Sequence, residues 1–314
     1  MRGCIHHRHP CCSFALAFAV FFVTTGAPEA ATSPEARATA RRLGRDIGFE
    51  DPSGKAMASF HAALKRARTG KGKARIVFYG ASHTASDLFT GVVRRELQKR
   101  FGDAGHGFVL PARPWNAYRH DDVVIQGTNT WRADRVGKSD SVQDGWYGLA
   151  GVSVASNRPD DVGILSTGTG PIGRKVDTFE LWYLRQPGGG TLEVRLDGRR
   201  VRRLSTAAPE KVAAYALFKT RDGPHSLEVR PVGDGEVRVF GVLMERRRSG
   251  VVLDTVGIPG SRAVHHLQWN DLLYREHLSR RRPDLVALAY GTNEAGDDDV
   301  PIEDYERQLR QVIT

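Results

Sequence analysis

Three short apolar runs, each stopping at a glycine, constrain this chain most. Ile76-Val77-Phe78-Tyr79 ends at Gly80, Val251-Val252-Leu253-Asp254-Thr255-Val256 ends at Gly257, and Leu285-Val286-Ala287-Leu288-Ala289-Tyr290 ends at Gly291. β-Branched and aromatic residues without polar alternation suit strands buried on both faces, and helical patterns follow each run, so the runs predict an α/β core with a parallel sheet. Phe89, Val92, Val93 and Leu97 mark one side of the helix after the first run, and Val264, Leu267, Tyr274 and Leu278 mark one helix after the second. Open α/β sheets keep their chemistry at the carboxyl ends of the strands.

At those ends the sequence offers Ser82, the glycine amides of the 257–260 loop, and Asn293. A serine with amide donors converging on one sheet edge is what acyl transfer requires: a nucleophile and hydrogen bonds for the oxyanion. The segment is not a Gly-x-Ser-x-Gly elbow, because Gly80 precedes Ser82 by two but no glycine follows it by two. A serine in an ordinary strand-to-helix loop is the plainer alternative.

Between the first and second runs, residues 115–248 read as glycine-punctuated strands. Leu192, Val194 and Leu196 alternate with Glu193 and Arg195, and Asp197-Gly198 supplies a two-residue hairpin turn. An inserted all-β sandwich of jelly-roll type is expected, with Trp131, Trp146 and Trp182 as candidates for stacking on sugars. Two patterns inside it are set aside. Gly168-Thr-Gly170-Pro-Ile-Gly173 spells a dinucleotide fingerprint but is followed by the strand-like Phe179 to Tyr183, and Asp222-Gly-Pro-His225 reads as a hairpin turn.

Arg2, His6, His7 and Arg8 precede the apolar run Phe14 to Val23, and small residues follow from Thr24 to Ala31. Residues 1–31 are expected to be a secretory signal peptide, cleaved between Ala27 and Ala31, which places the protein outside the cell or in the periplasm. The run is short for a bilayer span, so an uncleaved anchor is the lesser alternative and no stable membrane span is expected. Cys4, Cys11 and Cys12 all fall within the leader, so the mature chain would carry no disulfide. The net charge of +10 favours acidic partners without selecting among them, and no nucleic-acid motif accompanies the Arg246–Arg248 or Arg280–Arg282 clusters. No metal site or cofactor is expected.

Order, spacing and placement of Gly80-Ala-Ser82, Gly257 to Gly260 and Gly291-Thr-Asn293-Glu294 resemble the SGNH (GDSL) hydrolase superfamily. With the long β insertion and Ser82-His-Thr-Ala-Ser-Asp87, the chain is similar to the peptidoglycan O-acetylesterases among them, which carry a carbohydrate-binding-module-like domain at that point. The resemblance implies a flavodoxin-like three-layer hydrolase domain in two parts, residues 32–114 and 249–314, around the insertion. It implies Ser82 as nucleophile and oxyanion donor, Gly260 and Asn293 as further donors, and an acylated polysaccharide or peptidoglycan as substrate. The family places aspartate where this chain has Ala81, and its catalytic Asp-x-x-His follows further βα units, whereas this sequence reaches Thr314 in the next helix. The base and its acid are therefore expected beyond residue 314, with His83, His265 and His266 poor substitutes. An O-acetyltransferase on the same fold, or a carbohydrate-binding protein with a decayed hydrolase domain, are the alternatives.

Overall fold

The computed structural model describes residues 51–314; the expected leader, residues 1–31, and its cysteines lie outside the described residues. Strand β1 (Lys73–Gly80) lies at the centre of a three-stranded sheet, parallel to β13 (Gly250–Gly257) on one side and β14 (Leu285–Ala289) on the other. The register sets Gly80 level with both Gly257 and Ala289. Successive side chains of β1 point to opposite faces. Ile76 packs with Val251, Leu253 and the helix α1 (Ala58–Arg68), while Val77 and Tyr79 pack with Val256, Ile258 and Leu273 on the other face.

A single turn, α2 (Ser82–Ala85), leads from β1 into α3 (Leu88–Phe101). The apolar stripe of α3 faces mainly outward. Phe89, Val92 and Val93 are 41%, 51% and 38% exposed, and Thr90, Gly91, Arg94 and Gln98 form the buried side, with Leu97 partly buried. The inner side of α3 meets carboxylates and backbone carbonyls as well as apolar surface: Arg94 lies fully buried between Asp87 and Asp122, and Gln98 donates to the Gly105 and Val251 carbonyls. Gly91 permits the approach, since a Cβ there would stand 2.9 Å from Asp121 Oδ2.

The insertion is two antiparallel sheets. One contains β2 (Gly105–Val109), β4 (Arg132–Arg135), β5 (Val152–Ser156), β7 (Val176–Arg185), β10 (Val212–Gly223) and β12 (Val237–Glu245). The other runs β3 (Val123–Gly127), β6 (Gly163–Thr167), β11 (Ser226–Pro231), β8 (Thr191–Leu196), β9 (Arg199–Ser205). Its β8–β9 hairpin turns through Asp197 and Gly198, both at positive φ, the geometry that pairing suits. Leu192 and Val194 of one sheet and Val237, Val239 and Val242 of the other fill the core between them. The first sheet pairs β2 with β12, so it begins at Gly105, ahead of the Trp115 at which the sequence pattern places the insertion.

The insertion shares a core with the parallel sheet. Phe108, Trp182 and Phe240 pack with Tyr79, Val256 and Leu273 of α4 (Asp271–Arg281) in one cluster. Buried charge reinforces the junction: Arg281 of α4 is bonded to Asp254 of β13 and, at 2.6 Å, to Glu245 of β12, which also takes Lys73 of β1 at 2.5 Å. Burial alone would raise the Glu245 carboxyl, but Arg281 and Lys73 outweigh it and bring it down to about 2. The single helix expected after β13 is two elements, a 3₁₀ segment Ala263–Gln268 and α4. They are separated at Trp269-Asn270, where the Asn270 side chain accepts the Leu273 N–H and caps α4. The last helix is α5 (Ile302–Ile313). Among the described residues no helix is long and apolar enough to cross a membrane.

Candidate active site

Gly80 and Gly257 let the serine turn sit directly on the strand ends. A Cβ at Gly80 would stand 2.2 Å from Thr84 Oγ1, and one at Gly257 2.3 Å from the Ala85 nitrogen. Both glycines answer a close backbone approach, the second of the two uses this residue has. The Ile258 N–H continues the parallel ladder to the Gly80 carbonyl at 3.0 Å, and Ala81 and Ser82 carbonyls accept from Ala85 and Ser86 to close the turn. Ser82 is left exposed at the carboxyl edge of the sheet. Five residues on, Asp87 anchors the segment in left-handed conformation with φ 51°. Its carboxylate accepts from Arg94 (2.7 Å), Thr90, Thr255 of β13 and the Asp121 backbone N–H. Burial would raise this carboxyl, but His120 and Arg94 more than offset it and hold it well below the usual carboxylate range. The sequence shows Asp87 within the serine segment; its partners at 94, 121 and 255 leave no local signal.

The second and third loops are joined to each other. Gly260 turns at φ +71° after β13, and Asn293 Nδ2 donates to the Ser261 carbonyl at 2.8 Å. A carboxamide nitrogen carries two hydrogens, so one Asn293 donor remains for a substrate. Glu294 bridges the loops by accepting the Ala263 N–H at 2.8 Å and the Gly291 N–H at 2.9 Å, and Arg262 pairs with Asp297. Because Gly80, Gly257 and Ala289 are level, Ser82, Gly260 and Asn293 follow their strands by two, three and four residues at one edge.

Among the described residues no histidine is hydrogen-bonded to Ser82 Oγ. His83 is exposed beside Ser82, with its carbonyl accepting from Ser86 Oγ. His265 Nδ1 faces the Arg262 N–H at 3.2 Å and Ser261 Oγ at 3.3 Å, which occupies its lone pair; burial, Arg262 and Lys138 lower its pKa. His266 Nε2 meets the Tyr290 hydroxyl at 3.0 Å, and burial brings it down to about 4. His106 and His120 lie buried near Arg94, His277 is buried in the shared core, and His61 is on α1. His225 pairs with Asp197 at 2.7 Å in the sandwich, while Asp222 pairs with Arg246, so the Asp222–His225 spacing makes no pair. Among the described residues no group of three or more histidine, cysteine, aspartate or glutamate side chains is arranged to hold a metal.

Of the three tryptophans considered for stacking, Trp182 is fully buried against Phe108, Tyr215 and His277, with its N–H on Glu180, and cannot meet a ligand. Trp131 is 6% exposed and Trp146 partly buried.

No protein-family model matches the chain, and no curated protein sequence matches it. Among solved structures it resembles a peptidoglycan O-acetylesterase described as in action, with a TM-score of 0.62 at 23% identity, covering 81% of this chain and 68% of that one. A family 35 carbohydrate binding module from Clostridium thermocellum gives a TM-score of 0.27 at 7% identity over 40% of this chain and 98% of that one, too low to establish a common fold. The first likeness shows a shared fold of mixed helices, a parallel sheet and antiparallel sheets.

Proposed function

We propose that the protein is an exported serine esterase of the SGNH type, built on a flavodoxin-like hydrolase domain, that removes O-acetyl or other short acyl groups from peptidoglycan or another polysaccharide. One observation carries the reading: the common register of β13, β1 and β14 delivers Ser82, Gly260 and Asn293 to one sheet edge. The fold likeness to a peptidoglycan O-acetylesterase supports the substrate class. In this reading Ser82 Oγ attacks the ester carbonyl, its proton passing to a histidine base. The Ser82 and Gly260 N–H groups and the free hydrogen of Asn293 Nδ2 receive the oxyanion. Collapse expels the sugar hydroxyl, which takes the proton back, and water resolves the acyl-serine. His265 and His266 each already have one ring nitrogen engaged, so neither is assigned as that base. Transfer of the acyl group to another hydroxyl in place of water would make the same site an acetyltransferase.

The test is hydrolysis of an aryl acetate and of O-acetylated peptidoglycan by the full-length protein and by Ser82→Ala. Loss of both activities with an unchanged melting curve is expected. Equal activity of variant and parent would remove the serine mechanism, and inactivity of the parent would favour a carbohydrate-binding protein.

A further inference from the structure

The insertion sends one side chain to the proposed catalytic edge. Strand β4 ends at Arg135, and the chain turns at once through Val136 to Ser141. The turn is fixed from several sides: the Lys138 N–H donates to the Arg135 carbonyl, Ser141 Oγ accepts the Arg135 N–H at 2.8 Å, and Gln143 Nε2 donates to the Lys138 carbonyl at 2.6 Å. Its tip packs on the second loop of the site. A Cβ at Gly137 would stand 2.4 Å from His265 Nδ1, and one at Gly260 would stand 3.1 Å from Lys138 Nζ. Gly260 thus leaves bare the side on which the lysine arrives, while its N–H is the proposed oxyanion donor.

The charge of Lys138 is uncommitted. Its side chain is half-buried, yet among the described residues its ammonium makes no ion pair and no hydrogen bond. Acidic groups of the turn and of the two loops are engaged elsewhere: Asp140 holds Arg135 at 3.0 Å, Asp297 holds Arg262, and Glu294 accepts the Ala263 and Gly291 N–H groups. His265 offers no counter-ion, because its Nδ1 takes the Arg262 N–H at 3.2 Å and burial, Arg262 and Lys138 all lower its pKa. An ordinary surface lysine extends into water; this one lies along the second loop, where Gly260 has no side chain to exclude it.

An ammonium is a point charge with three donors, and an anion can meet it from any open side. Salt screens its field beyond about 8–10 Å, so it acts on what is bound at this edge and not on the rest of the substrate. An ester whose carbonyl oxygen sits at the Ser82, Gly260 and Asn293 donors brings its own substituents next to Lys138. A short acyl group has no atoms to carry a charge there, which leaves the alcohol part.

We propose that Lys138 is a specificity-determining residue of the acyl-transfer site: supplied by the insertion and lodged at Gly260, it selects esters whose alcohol part bears a carboxylate. The proposal rests on the esterase reading and deepens it by naming the charge of the substrate.

The test is acetate release by the full-length protein from 3-acetoxybenzoate and from its uncharged counterpart, methyl 3-acetoxybenzoate. The ratio of kcat/KM for the charged over the uncharged ester is compared between parent and variants, so that the intrinsic reactivities of the two esters cancel. Lys138→Met, which keeps the apolar stem, should lower the ratio by about fivefold or more, the effect of one charge pair at contact distance in a watery site. The change should lie in KM for the charged ester, with kcat nearly intact, and Lys138→Arg should keep the parental ratio. Raising salt from about 0.05 M to about 0.5 M should move the parental ratio towards that of Lys138→Met. An equal loss on both esters, which a lysine that only supports the loop would give, overturns the proposal, and so does a parental ratio insensitive to salt. Hydrolysis of both esters with the same ratio in parent and Lys138→Met removes the proposal and leaves the esterase; hydrolysis of neither by the parent removes the esterase reading and the proposal with it.

Discussion

Strands β13 and β14 flank the same strand, run in the same direction, and meet it in the same register, yet their surroundings are opposite. Seven of the eight β13 residues are buried, and its Asp254 and Thr255 enter the charged networks of Arg281 and Asp87. No residue of β14 is buried; Val286 is 41% exposed, and α5 beyond it buries no residue. The proposed nucleophile is thus clamped from the β13 side by burial and ion pairs. Asn293 is held from the β14 side by a few hydrogen bonds between loops. Stability and oxyanion chemistry should therefore separate when the two sides are mutated.

The largest expected effect is on the buried side. Arg94→Met leaves the Asp87 and Asp122 carboxylates buried without their common partner, and breaking such a pair costs about 3–5 kcal/mol. Urea denaturation should show this loss; a change under 1 kcal/mol would mean that the clamp is not structural. On the exposed side, Asn293→Ala should lower turnover by about 10²–10³ while the urea midpoint moves little. A falling midpoint with unchanged turnover per folded molecule would make Asn293 a loop residue only.

How much of this could be read in advance follows the range of the interactions. The strand ends and their three polar residues were legible because Ile76 to Gly80 and its two counterparts are short apolar runs that stop at a glycine, although the burial such runs predict holds for β1 and β13 and not for β14. The β8–β9 hairpin was legible because Asp197-Gly198 names its turn. The outward stripe of α3 was not, because periodicity shows that Phe89, Val92 and Val93 share a face but not which way it points. Arg94 decides that, through carboxylates seven positions before it and 28 after it. Trp182, Glu294 and Lys138 depend likewise on segments brought together by the fold.

A direct version of the comparison uses one substitution twice. Val252→Thr buries a hydroxyl at a fully buried β13 position and should cost about 1–3 kcal/mol. Val286→Thr on β14 should stay within about 0.5 kcal/mol. Equal costs would show that β14 is as well packed as β13.

A smaller effect concerns acid. His277 lies among Trp182, Tyr215 and Phe240 with neither ring nitrogen bonded, and burial brings its pKa down to about 3. Its folded value lies below the unfolded one of about 6.5, so below that pH the unfolded chain binds the extra proton. Its stabilising contribution is full above about pH 6.5 and declines as pH falls, by at most about 1.4 kcal/mol per unit. Glu245, depressed to about 2, is full above about pH 4.3 and declines only below that, so the interval from 6.5 to 4.5 reports the histidines whose pKa burial lowers, His277 together with His106, His120, His265 and His266. His277→Phe should flatten the slope of stability against pH there, and an unchanged slope would assign it to another group.

The central claim is that Ser82 carries the acyl group. Full-length protein is mixed with an aryl acetate, quenched in acid within the first turnovers, and its peptides are mapped by mass spectrometry. The account predicts acetylation on the peptide bearing Ser82 and none on that peptide in Ser82→Ala. Turnover of the ester with Ser82 unmodified, or with acetyl accumulating on another residue in parent and variant alike, would contradict it.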